Sequence, residues 1–557
     1  MKLIPGSKPF DTSWGRDFIS DTRVMAEKLL AEPTYVLPIS EFERSLITGN
    51  RVDYEALYME HRRKLWHFFT MTLCDGEERW VVALTDILNA ICEESIWAFP
   101  AHVNKNDSFT NMRHTVDLFA AETAQMLSEC VFLLGDMLPP RLVEEVRHNV
   151  IERVIKPYMS SDKNYGNNNW SAICNGCVAM SMIELGLRDE FDASLDKIVH
   201  GLNIFLDSYT EDGACMEGAL YWRYGFGYFA YAADMICEHT GGRVDLFKSE
   251  KVRRMAEFYR YAFVDPPYTV PFSDSGHLLH LHPGLITLLS DRYGFPMIPE
   301  SSAVRADYDH RWRCTDMVRS LLWTKGFDDD CAESFFKYYE NAEWYIKRTA
   351  SYTIAAKGGH NAEPHNHNDI GSFVFYANGE YIVDDLGWPE YDMSYFDISK
   401  RYNYICASSL GHSVPIVDGG AQLPGKEHRA DIISVDGQSI VMDISGAYGL
   451  ELRAVTRSIV CTDSGIEVLD SVSDGHTFID RIALRIEPCI IDNGVRVGRG
   501  KIVADEPVDV KVSTAEFETR YSIGISDTGR YVTAYFVDFI PKNNSKSLKL
   551  KIYSLAE

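Results

Sequence analysis

The chain has 557 residues, more than one hydrophobic core usually organises, so two or more domains are expected. Its 55 Lys and Arg stand against 81 Asp and Glu, and the resulting net charge of −26 argues against nucleic acid and anionic membranes as partners. No run approaches the ~20 consecutive apolar residues that span a bilayer.

Twelve cysteines are scattered along the chain rather than closely spaced, which is typical of a reducing compartment. The one close pair, Cys174 and Cys177, is predicted to be two buried helix thiols, with a metal or redox site as the less favoured alternative. The segment Met1–Gly6 has neither the apolar run nor the cleavage site of a secretory signal. These features predict a cytoplasmic protein, whereas a chain already trimmed of its signal would be secreted or periplasmic.

The first part of the chain, residues 1–338, is predicted to be a helical domain. Apolar residues recur at steps of three and four between Val116 and Leu134, and again between Val143 and Val154. Pro139-Pro140 separates the two stripes, and proline suits a helix start because its missing N–H would be unpaired there. Successive helices joined by short turns indicate stacked helical hairpins, arranged as a bundle, a solenoid or a toroid.

The pattern changes near residue 340, and residues 339–557 are predicted to form an antiparallel β domain. Phe373–Ala377 and Glu380–Val383 flank Asn378-Gly379, a pair that favours the type I′ turn of a β-hairpin. A series of strands separated by turn residues favours a β-sandwich or a close relative of one. The further strand-like runs are Arg457–Cys461, Ile466–Val472, Arg481–Ile486 and Tyr531–Phe539.

The densest group of reactive side chains spans His360–Asp369. His365 and His367 stand two residues apart, so both project to the same side of an extended segment. Asp384 ends the second hairpin strand, which folds back toward His367, and His412 follows later. Two imidazoles and a carboxylate form a plausible site for Zn²⁺ or Mn²⁺, with solvated surface histidines as the simpler alternative.

Two more clusters lie in the helical part. Asn167–Asn169 precede Trp170, and such amides can equally cap a helix. Between Asp212 and Gly225, Tyr, Trp and Arg alternate in a segment that is poor in aliphatic residues, a composition that suits a sugar-lined cleft.

Together the three clusters resemble the heparinase II/III-like polysaccharide lyases, a family with alginate- and glycosaminoglycan-cleaving members. The resemblance covers most of the chain and is weakest at its two ends. Its most specific part is His365–Phe373 with the hairpin and Asp384, followed by Asp212–Trp222 and Asn169-Trp170. It implies an N-terminal (α/α) toroid followed by a C-terminal antiparallel β-sandwich. It also implies β-elimination of uronate-containing glycans to give 4,5-unsaturated uronate ends.

The resemblance further implies roles for individual residues. Asn169 neutralises the uronate carboxylate, Tyr221 transfers protons, and His365 acts as the base for the opposite epimer. One divalent ion, Zn²⁺ by preference with Mn²⁺ or Ca²⁺ as alternatives, supports the neighbouring catalytic groups. Its implied ligands are His367, Asp384 and His412.

One departure from the family pattern leaves a role open. Some members place a catalytic histidine directly after the asparagine, and Trp170 stands there in this chain. Either His365 carries both histidine functions or Tyr221 does more alone, and Tyr224 is the rival tyrosine. Other aromatic and polar side chains near the motifs are expected to contact the sugar or its anionic groups. They are Trp170, Trp222, Arg223, Tyr224, Glu217, His360, Glu363, Arg401, Tyr402, Gln422 and Lys426.

Three other functions compete with the lyase hypothesis. His365–Asp369 matches the start of the His-x-His-x-Asp-His motif of metallo-β-lactamase-type hydrolases, but Ile370 replaces its final histidine. A non-catalytic glycan-binding protein would use the same clusters only to grip sugar. A glycoside hydrolase for unsaturated uronides would need a carboxylate pair such as Asp212 and Glu217.

The high negative charge and the N-terminal sequence also bear on the substrate. Both favour short imported oligosaccharides, cut near one end in a pocket closed on one side. The sequence leaves the glycan, its sulfation, the metal and the oligomeric state open, with a homodimer among the options.

Overall fold

A computed structural model describes residues 1–9, 11–306, 312–329, 334–363, 365–389, 394–519 and 530–555. The chain divides into two compact units. The helical unit comprises Met1–Tyr209, Arg223–Ala256 and His280–Cys331, and the β unit comprises Thr210–Trp222, Glu257–Leu279 and Ala332–Glu557. Two segments that precede residue 338, Thr210–Trp222 and Glu257–Leu279, therefore group with the β part of the chain.

The described α-helices occur mainly in the first 330 residues. They are α1 Ser13–Ala31, α2 Ile39–Thr48, α3 Val52–Asp75, α4 Glu78–Glu93, α5 Phe109–Arg113, α6 Leu118–Leu134, α7 Pro140–Val150, α8 Lys156–Ser160, α9 Asn169–Glu184, α10 Arg188–Leu206, α11 Ala219–Tyr221, α12 Gly227–His239, α13 Glu250–Glu257, α14 Pro283–Tyr293, α15 Cys314–Trp323 and α16 Ile398–Arg401.

The helix boundaries follow local signals in the sequence. The Asp117 side chain caps α6 by accepting a hydrogen bond from Ala120 N at 2.8 Å. Pro140 is the first residue of α7, as its missing N–H predicts. The apolar stripes before and after Pro139-Pro140 are both helical, which confirms the spacing argument. One stretch, Leu118–Met137, is long and apolar enough to cross a membrane, but 78% of its most apolar window is buried, as in a core helix.

Packing inside the helical unit closes the series of helices into a ring. α3 packs against α4, α4 against α7, α7 against α6, and α6 against α9. The path continues from α9 through α12 and α14 to α15, which packs back against α3 and α6. Arg319 of α15 and Glu129 of α6 form a fully buried ion pair at 2.5 Å across this closure. A closed ring of helices is a toroid. The helical pattern in the sequence had left a bundle and a solenoid open as well.

The strands are short and almost all antiparallel. They are β1 Phe263–Asp265, β2 Tyr268–Thr269, β3 Phe335–Tyr339, β4 Trp344–Arg348, β5 Tyr352–Lys357, β6 His360–Asn361, β7 Phe373–Ala377, β8 Glu380–Val383, β9 Pro415–Val417, β10 Gly425–Arg429, β11 Asp431–Val435, β12 Ser439–Asp443, β13 Val455–Cys461, β14 Gly465–Val472, β15 Phe478–Leu484, β16 Pro488–Ile491, β17 Gly494–Val497, β18 Gly500–Ala504, β19 Val508–Thr519, β20 Arg530–Pro541 and β21 Ser547–Ser554.

Three sheets make up most of the β unit. Their strand orders are β3-β4-β5-β7-β8, β11-β12-β13-β14-β21-β18-β17-β16 and β19-β20-β15-β9. One hydrophobic core takes buried residues from all three, among them Phe375, Val468 and Ile482. Sheets that share a core through alternating inward residues are the arrangement of a sandwich.

The β7–β8 hairpin has the predicted residues at its turn. Asn378 and Gly379 adopt φ angles of 52° and 83°, as a type I′ turn requires. A register shift lies between Phe375 and Tyr376, close to the end of the hairpin that leads into the acidic pair Asp384-Asp385.

Candidate active site

A buried carboxylate, Asp274, organises the polar residues of the β unit. Asp274 Oδ2 accepts a hydrogen bond from His365 Nδ1 at 2.7 Å, and its Oδ1 accepts one from His367 Nε2 at 3.0 Å. The Tyr395 hydroxyl also donates to Oδ1, and Arg401 Nη2 lies 3.2 and 3.3 Å from the two oxygens. Burial by itself raises the pKa of Asp274, but the hydrogen bonds from the two histidines outweigh it and hold the pKa well below its usual range.

The loop that carries Asp274 is fixed by neighbouring backbone. Ser273 has a positive φ of 62°, and its hydroxyl donates to Met216 O at 2.8 Å. Gly218 packs closely against the same loop. A Cβ added to Gly218 would lie only 2.6 Å from Ser275 Cβ. Gly218 also has a φ of 96°, so both its conformation and its surroundings require glycine.

His365 and Tyr221 lie against each other in the same unit. Their ring centroids are 4.5 Å apart, with the planes at 32°. The His365 side chain is 24% exposed, so it combines a buried partner with access to solvent. Burial lowers the pKa of His365, whereas the hydrogen bond and the charge of Asp274 raise it. The two effects of Asp274 together are larger, so the pKa of His365 lies above its usual value. Tyr221 ends α11, directly before a π-helical turn at Trp222–Phe226, a feature frequent at functional sites.

Glu217 is a second carboxyl group close to this pair. Burial raises its pKa, the positive charge of His365 opposes the shift, and the negative charge of Asp274 adds to it. Its surroundings therefore favour the neutral acid more than an exposed glutamate would experience. Asp212, the partner that a glycosidase would need, instead caps a turn. It accepts hydrogen bonds from Ala214 N at 3.3 Å and Asn341 N at 2.8 Å.

Three buried side chains form a candidate metal site: His367, Asp385 and His412 each offer a ligand atom within 4.8 Å of the others. His412 Nδ1 lies 2.9 Å from Asp385 Oδ2, and its Nε2 lies 2.8 Å from Cys406 O. His367 Nδ1 is buried without a partner among the described residues. An orphaned imidazole nitrogen beside a carboxylate and a second imidazole fits a divalent cation such as Zn²⁺.

The acidic member of this group differs from the predicted one. Asp384 was expected to join His367 and His412, but the carboxylate there is that of Asp385. Successive side chains of an extended segment point to opposite sides, so only one of two neighbouring aspartates can reach the histidines. Asp384 Oδ1 instead lies 2.5 Å from His277 Nε2, and Arg485 Nη1 lies 2.9 Å from His277 Nδ1.

The remaining predicted catalytic residue, Asn169, belongs to the helical unit. It is the first residue of α9, and the Asn168 side chain caps that helix by accepting from Trp170 N at 2.9 Å. A Cβ added to Gly225 would lie 3.1 Å from Asn169 Cβ, so glycine allows the close approach of these two segments. The Trp170 ring is half-buried and meets His102 edge-on at 4.7 Å.

Tyr224, the rival tyrosine, has a different environment. Its hydroxyl donates to Glu122 Oε1 at 2.7 Å, and the Arg313 guanidinium lies over its ring at 4.1 Å. Burial, followed by the charge of Glu122, raises the pKa of Tyr224 well above its usual range. Arg223 donates to His280 O at 2.7 Å within the helical unit. Of the two tyrosines, Tyr221 is the one whose ring lies against His365.

Several residues that were expected to contact substrate are buried instead. Trp222 is 0% exposed and packs against Phe258 and Tyr259, so it belongs to the core. The Gln422 amide exchanges hydrogen bonds with the backbone of Ile370, accepting from N at 2.9 Å and donating to O at 2.7 Å. Gln422 therefore supports the histidine loop rather than lining a cleft.

Arg401 and Glu363 are also buried supports of the loop. Arg401 stacks over Tyr395 at 4.0 Å and donates to Asn366 O at 3.1 Å besides its contact with Asp274. Glu363 is 4% exposed, and its Oε1 accepts from His360 N at 3.3 Å. Of the other expected contacts, Lys426 is exposed, and the half-buried ones are Trp170, Glu217, Arg223, Tyr224, His360 and Tyr402.

Asp274, Tyr395 and Asp385 are the functional candidates that sequence reasoning missed. Asp274 lies in a polar stretch, Ser273 to His277, between apolar segments. An acidic residue in such a loop is a weak signal, and its partner His365 is 91 positions away. Asp385 directly follows Asp384, the predicted ligand. The sequence therefore indicated an acidic ligand at this point of the chain, but not which of the two aspartates faces the histidines.

Comparisons with known proteins address the fold. No protein-family model matches the chain, and no curated protein matches it. Among solved structures, the heparan sulfate lyase HepC from Pedobacter heparinus is 14% identical, with 100% of this chain and 85% of that chain covered and a TM-score of 0.58. A heparinase III is 14% identical, with 100% and 87% covered and a TM-score of 0.61.

A third match is a lyase of a different glycan. The chondroitin AC lyase from Streptomyces coelicolor A3, in complex with chondroitin sulphate, is 11% identical, with 100% and 81% covered and a TM-score of 0.58. The chain has the fold of these lyases. The predicted class, an N-terminal (α/α) toroid followed by an antiparallel β-sandwich, is confirmed.

Proposed function

We propose that this protein is a lyase that cleaves uronate-containing oligo- or polysaccharides by β-elimination. The observation that carries the proposal is the Tyr221–His365 pair, two proton-transferring side chains in ring contact, one of them held by buried Asp274. A phenol and an imidazole side by side can serve as the acid and the base of one reaction. The shared fold with lyases of heparan sulfate and chondroitin supports the same reaction class.

The reaction begins with loss of the C5 proton of a uronate. His365, or Tyr221 in a syn elimination, takes this proton, and the electron pair forms the C4–C5 double bond. The bond between C4 and the glycosidic oxygen breaks, and Tyr221 gives a proton to the leaving oxygen. We assign Asn169 the task of donating a hydrogen bond to the uronate carboxylate, where negative charge develops in the transition state.

Support for Asn169 comes from its place in the helical unit. It stands in the first turn of α9, where backbone N–H groups are not used within the helix and favour an anion. Its close approach to Gly225 fixes its place within the helical unit. A donor amide and a helix N-terminus both suit a carboxylate.

We further propose that His367, Asp385 and His412 hold one divalent cation, Zn²⁺ by preference. When bound, such an ion supplies fixed positive charge and cross-links the chain segments that carry its ligands. The chain's own residues perform the proton transfers. His367 is two residues from His365, so holding His367 in place also holds the backbone of the proposed base.

A uronate assay with product analysis tests the reaction class. Purified protein is incubated with hyaluronan, chondroitin, heparan sulfate and alginate, each as polymer and as tetrasaccharide, and absorbance of the new conjugated alkene is followed. Mass spectra of the products should lack the added water that hydrolysis would leave. Cleavage products that carry water would establish a hydrolase. Binding to these glycans without any cleavage would establish a glycan-binding protein.

A further inference from the structure

We propose that Asp274 is a positioning residue that selects the tautomers of two histidines at once. It fixes the proton of His365 on Nδ1, so that Nε2 is the nitrogen that exchanges protons with substrate. It fixes the proton of His367 on Nε2, so that Nδ1 is the nitrogen that binds the cation. The catalytic part of this inference rests on the proposed function, and the tautomer and metal-binding parts do not.

The His365 part follows from the direction of one hydrogen bond. Asp274 is 0% exposed, and the Arg401 guanidinium lies 3.2 and 3.3 Å from its two oxygens, which pairs it as a carboxylate. Carboxylate oxygens can only accept hydrogen bonds. His365 Nδ1, at 2.7 Å from Oδ2, must therefore carry the proton. In this form only Nε2 has a lone pair, and the ring that bears it lies against Tyr221. A base needs that lone pair, so the carboxylate prepares His365 for proton abstraction.

The His367 part uses the same argument at the other oxygen. His367 Nε2 lies 3.0 Å from Asp274 Oδ1 and donates to it. The other nitrogen, Nδ1, is buried without a described partner and belongs to the residue grouped with Asp385 and His412. Ligating histidines commonly donate their second N–H to a carboxylate, which fixes the ring and raises its basicity. Asp274 stands in that relation to His367.

One carboxylate can serve both rings because the structure holds it rigidly. Arg401 contacts both oxygens, and the Tyr395 hydroxyl donates to one of them, so with the two histidines four of the described side chains converge on Asp274. The Ser273 contact with Met216 and the close approach of Gly218 fix the backbone. A carboxylate with this many donors has two acceptor oxygens aimed in set directions. The proposed base and the proposed cation site are therefore joined through a single side chain.

The test is the variant Asp274→Asn, compared with the wild-type protein. An amide has one acceptor oxygen and a donor NH₂ group, so it cannot accept from both imidazoles, and at least one ring must change its tautomer. Spectra of ¹⁵N-histidine-labelled protein, with His365→Gln and His367→Gln for assignment, report which ring nitrogen carries the proton. Zn²⁺ affinity is measured by competition with a chromophoric chelator, and kcat and KM are measured on a cleaved uronate tetrasaccharide.

We expect wild type to show His365 protonated on Nδ1 and His367 on Nε2. In Asp274→Asn at least one assignment should reverse, Zn²⁺ affinity should fall about 10- to 100-fold, and kcat should fall far more than KM changes. Asp274→Glu, which keeps the carboxylate, should recover part of both losses. Asp418→Asn is the matched control, because Asp418 accepts from His476 Nδ1 at 2.6 Å in an exposed pair of the same unit. It should leave Zn²⁺ affinity unchanged.

The wild-type spectrum alone can overturn the inference, even if Asp274→Asn does not fold. A proton on Nε2 of His365, or on Nδ1 of His367, would contradict it directly. Unchanged tautomers and unchanged Zn²⁺ affinity in a folded Asp274→Asn protein would do the same. If wild type cleaves none of the uronates but the spectra and the Zn²⁺ affinity change as expected, the proposed function fails and the positioning role of Asp274 stands.

Discussion

His365 has a backbone conformation that residues other than glycine rarely adopt. Its φ is 54°, and such a conformation costs about 1 to 3 kcal/mol unless its surroundings impose it. The hydrogen bond to Asp274 and the ring contact with Tyr221 are among the interactions that hold it. Strain of this kind persists where position matters more than stability, which agrees with a role for His365 in the reaction.

The first prediction concerns the choice between two tyrosines. Tyr221→Phe should lower kcat by about 10²- to 10⁴-fold while substrate still binds, because only the proton-transferring hydroxyl is lost. Tyr224→Phe is the matched control, since it removes a hydroxyl that donates to Glu122. It should leave kcat within a few-fold of wild type. A large loss in Tyr224→Phe together with normal turnover in Tyr221→Phe would show that the tyrosine roles are reversed.

The second prediction concerns the buried carboxyl group of Glu363. Burial raises its pKa to about 7, although the Lys357 ammonium at 3.8 Å from Oε2 opposes the shift. A raised pKa means that the neutral acid stabilises the fold fully below the unfolded pKa of about 4.5, and that this stabilisation is lost as pH rises through about 7. The change over this window is about 3 kcal/mol, at 1.36 kcal/mol per pKa unit.

Glu363→Gln keeps the shape of the side chain but cannot ionise. The melting temperature of the variant relative to wild type should therefore rise between pH 4.5 and pH 8, and differential scanning fluorimetry across this range measures it. The exposed Glu427→Gln serves as the control and should show a constant difference from wild type. A constant difference for Glu363→Gln as well would mean that Glu363 ionises as it does in the unfolded chain.

At the scale of elements, one buried arginine holds the two loops that carry the histidines. Arg457 on β13 donates from Nη1 to Gly371 O at 2.8 Å and to Ser413 O at 2.5 Å. Gly371 follows the His365–His367 segment, and Ser413 follows His412. The guanidinium is neutralised by Asp470, at 2.6 and 2.8 Å, and by Asp480 at 3.0 Å. One side chain thereby links the sandwich core to both loops.

Arg457→Met should destabilise the protein by about 3 to 5 kcal/mol, because it leaves buried carboxylates without their partner. It should also weaken Zn²⁺ binding, since both ligand-bearing loops lose an anchor. Chemical denaturation and chelator competition measure the two effects. Lys549→Met is the control: Lys549 pairs with Glu467 on neighbouring strands but is partly exposed, so its loss should be smaller and Zn²⁺ binding should be kept. Equal losses in both variants would contradict the anchoring role.

The elements that could be predicted from sequence are those whose signals are local. The β7–β8 hairpin depends on Asn378-Gly379, and α7 begins at Pro140, so neighbouring residues decide both. The choice between Asp384 and Asp385 depends on register, because a shift of one residue reverses the side to which each side chain points. The register shift between Phe375 and Tyr376 on the partner strand leaves no trace in the local pattern. The same holds for Asp274, whose partners come together only in the folded chain.

Burial explains the other differences between expectation and structure. Trp222 and Gln422 have side chains that suit sugar recognition, and composition alone cannot tell a sugar-facing tryptophan from one in the core. Asn169 and Tyr221 could be proposed from sequence because they stand in recognisable motifs. The supporting residues Arg457, Tyr395 and Asp274 stand in no motif, so only the structure shows which residues they contact.

At the scale of the whole molecule, the candidate cation site should contribute to stability. Protein loaded with Zn²⁺ at 100 to 1,000 times its dissociation constant should gain about 3 to 4 kcal/mol, because the ion binds only the folded chain. Treatment with a chelator should therefore lower the melting temperature, and elemental analysis of untreated protein should find one ion per chain. His412→Gln should melt at the chelated temperature and show no further decrease with chelator. A melting temperature unaffected by chelator in wild type would argue against the site.

The net charge of −26 leads to a prediction about salt. A polyanion approaching a protein of the same sign is repelled over about a Debye length, roughly 10 Å at 0.1 M ionic strength, and added salt screens that repulsion. If the substrate is a uronate glycan, kcat/KM on a long polymer should rise between 10 and 150 mM NaCl (about 30 to 8 Å in Debye length). A tetrasaccharide carries few charges, so its kcat/KM should change less, and it serves as the control within the same enzyme. Early viscosity measurements on the polymer show whether cutting is internal or, as the preference for short chains predicts, near one end.

A steep fall of kcat/KM with salt on the polymer would show that a local basic surface dominates binding. The expected preference for short oligosaccharides would then lose its electrostatic basis.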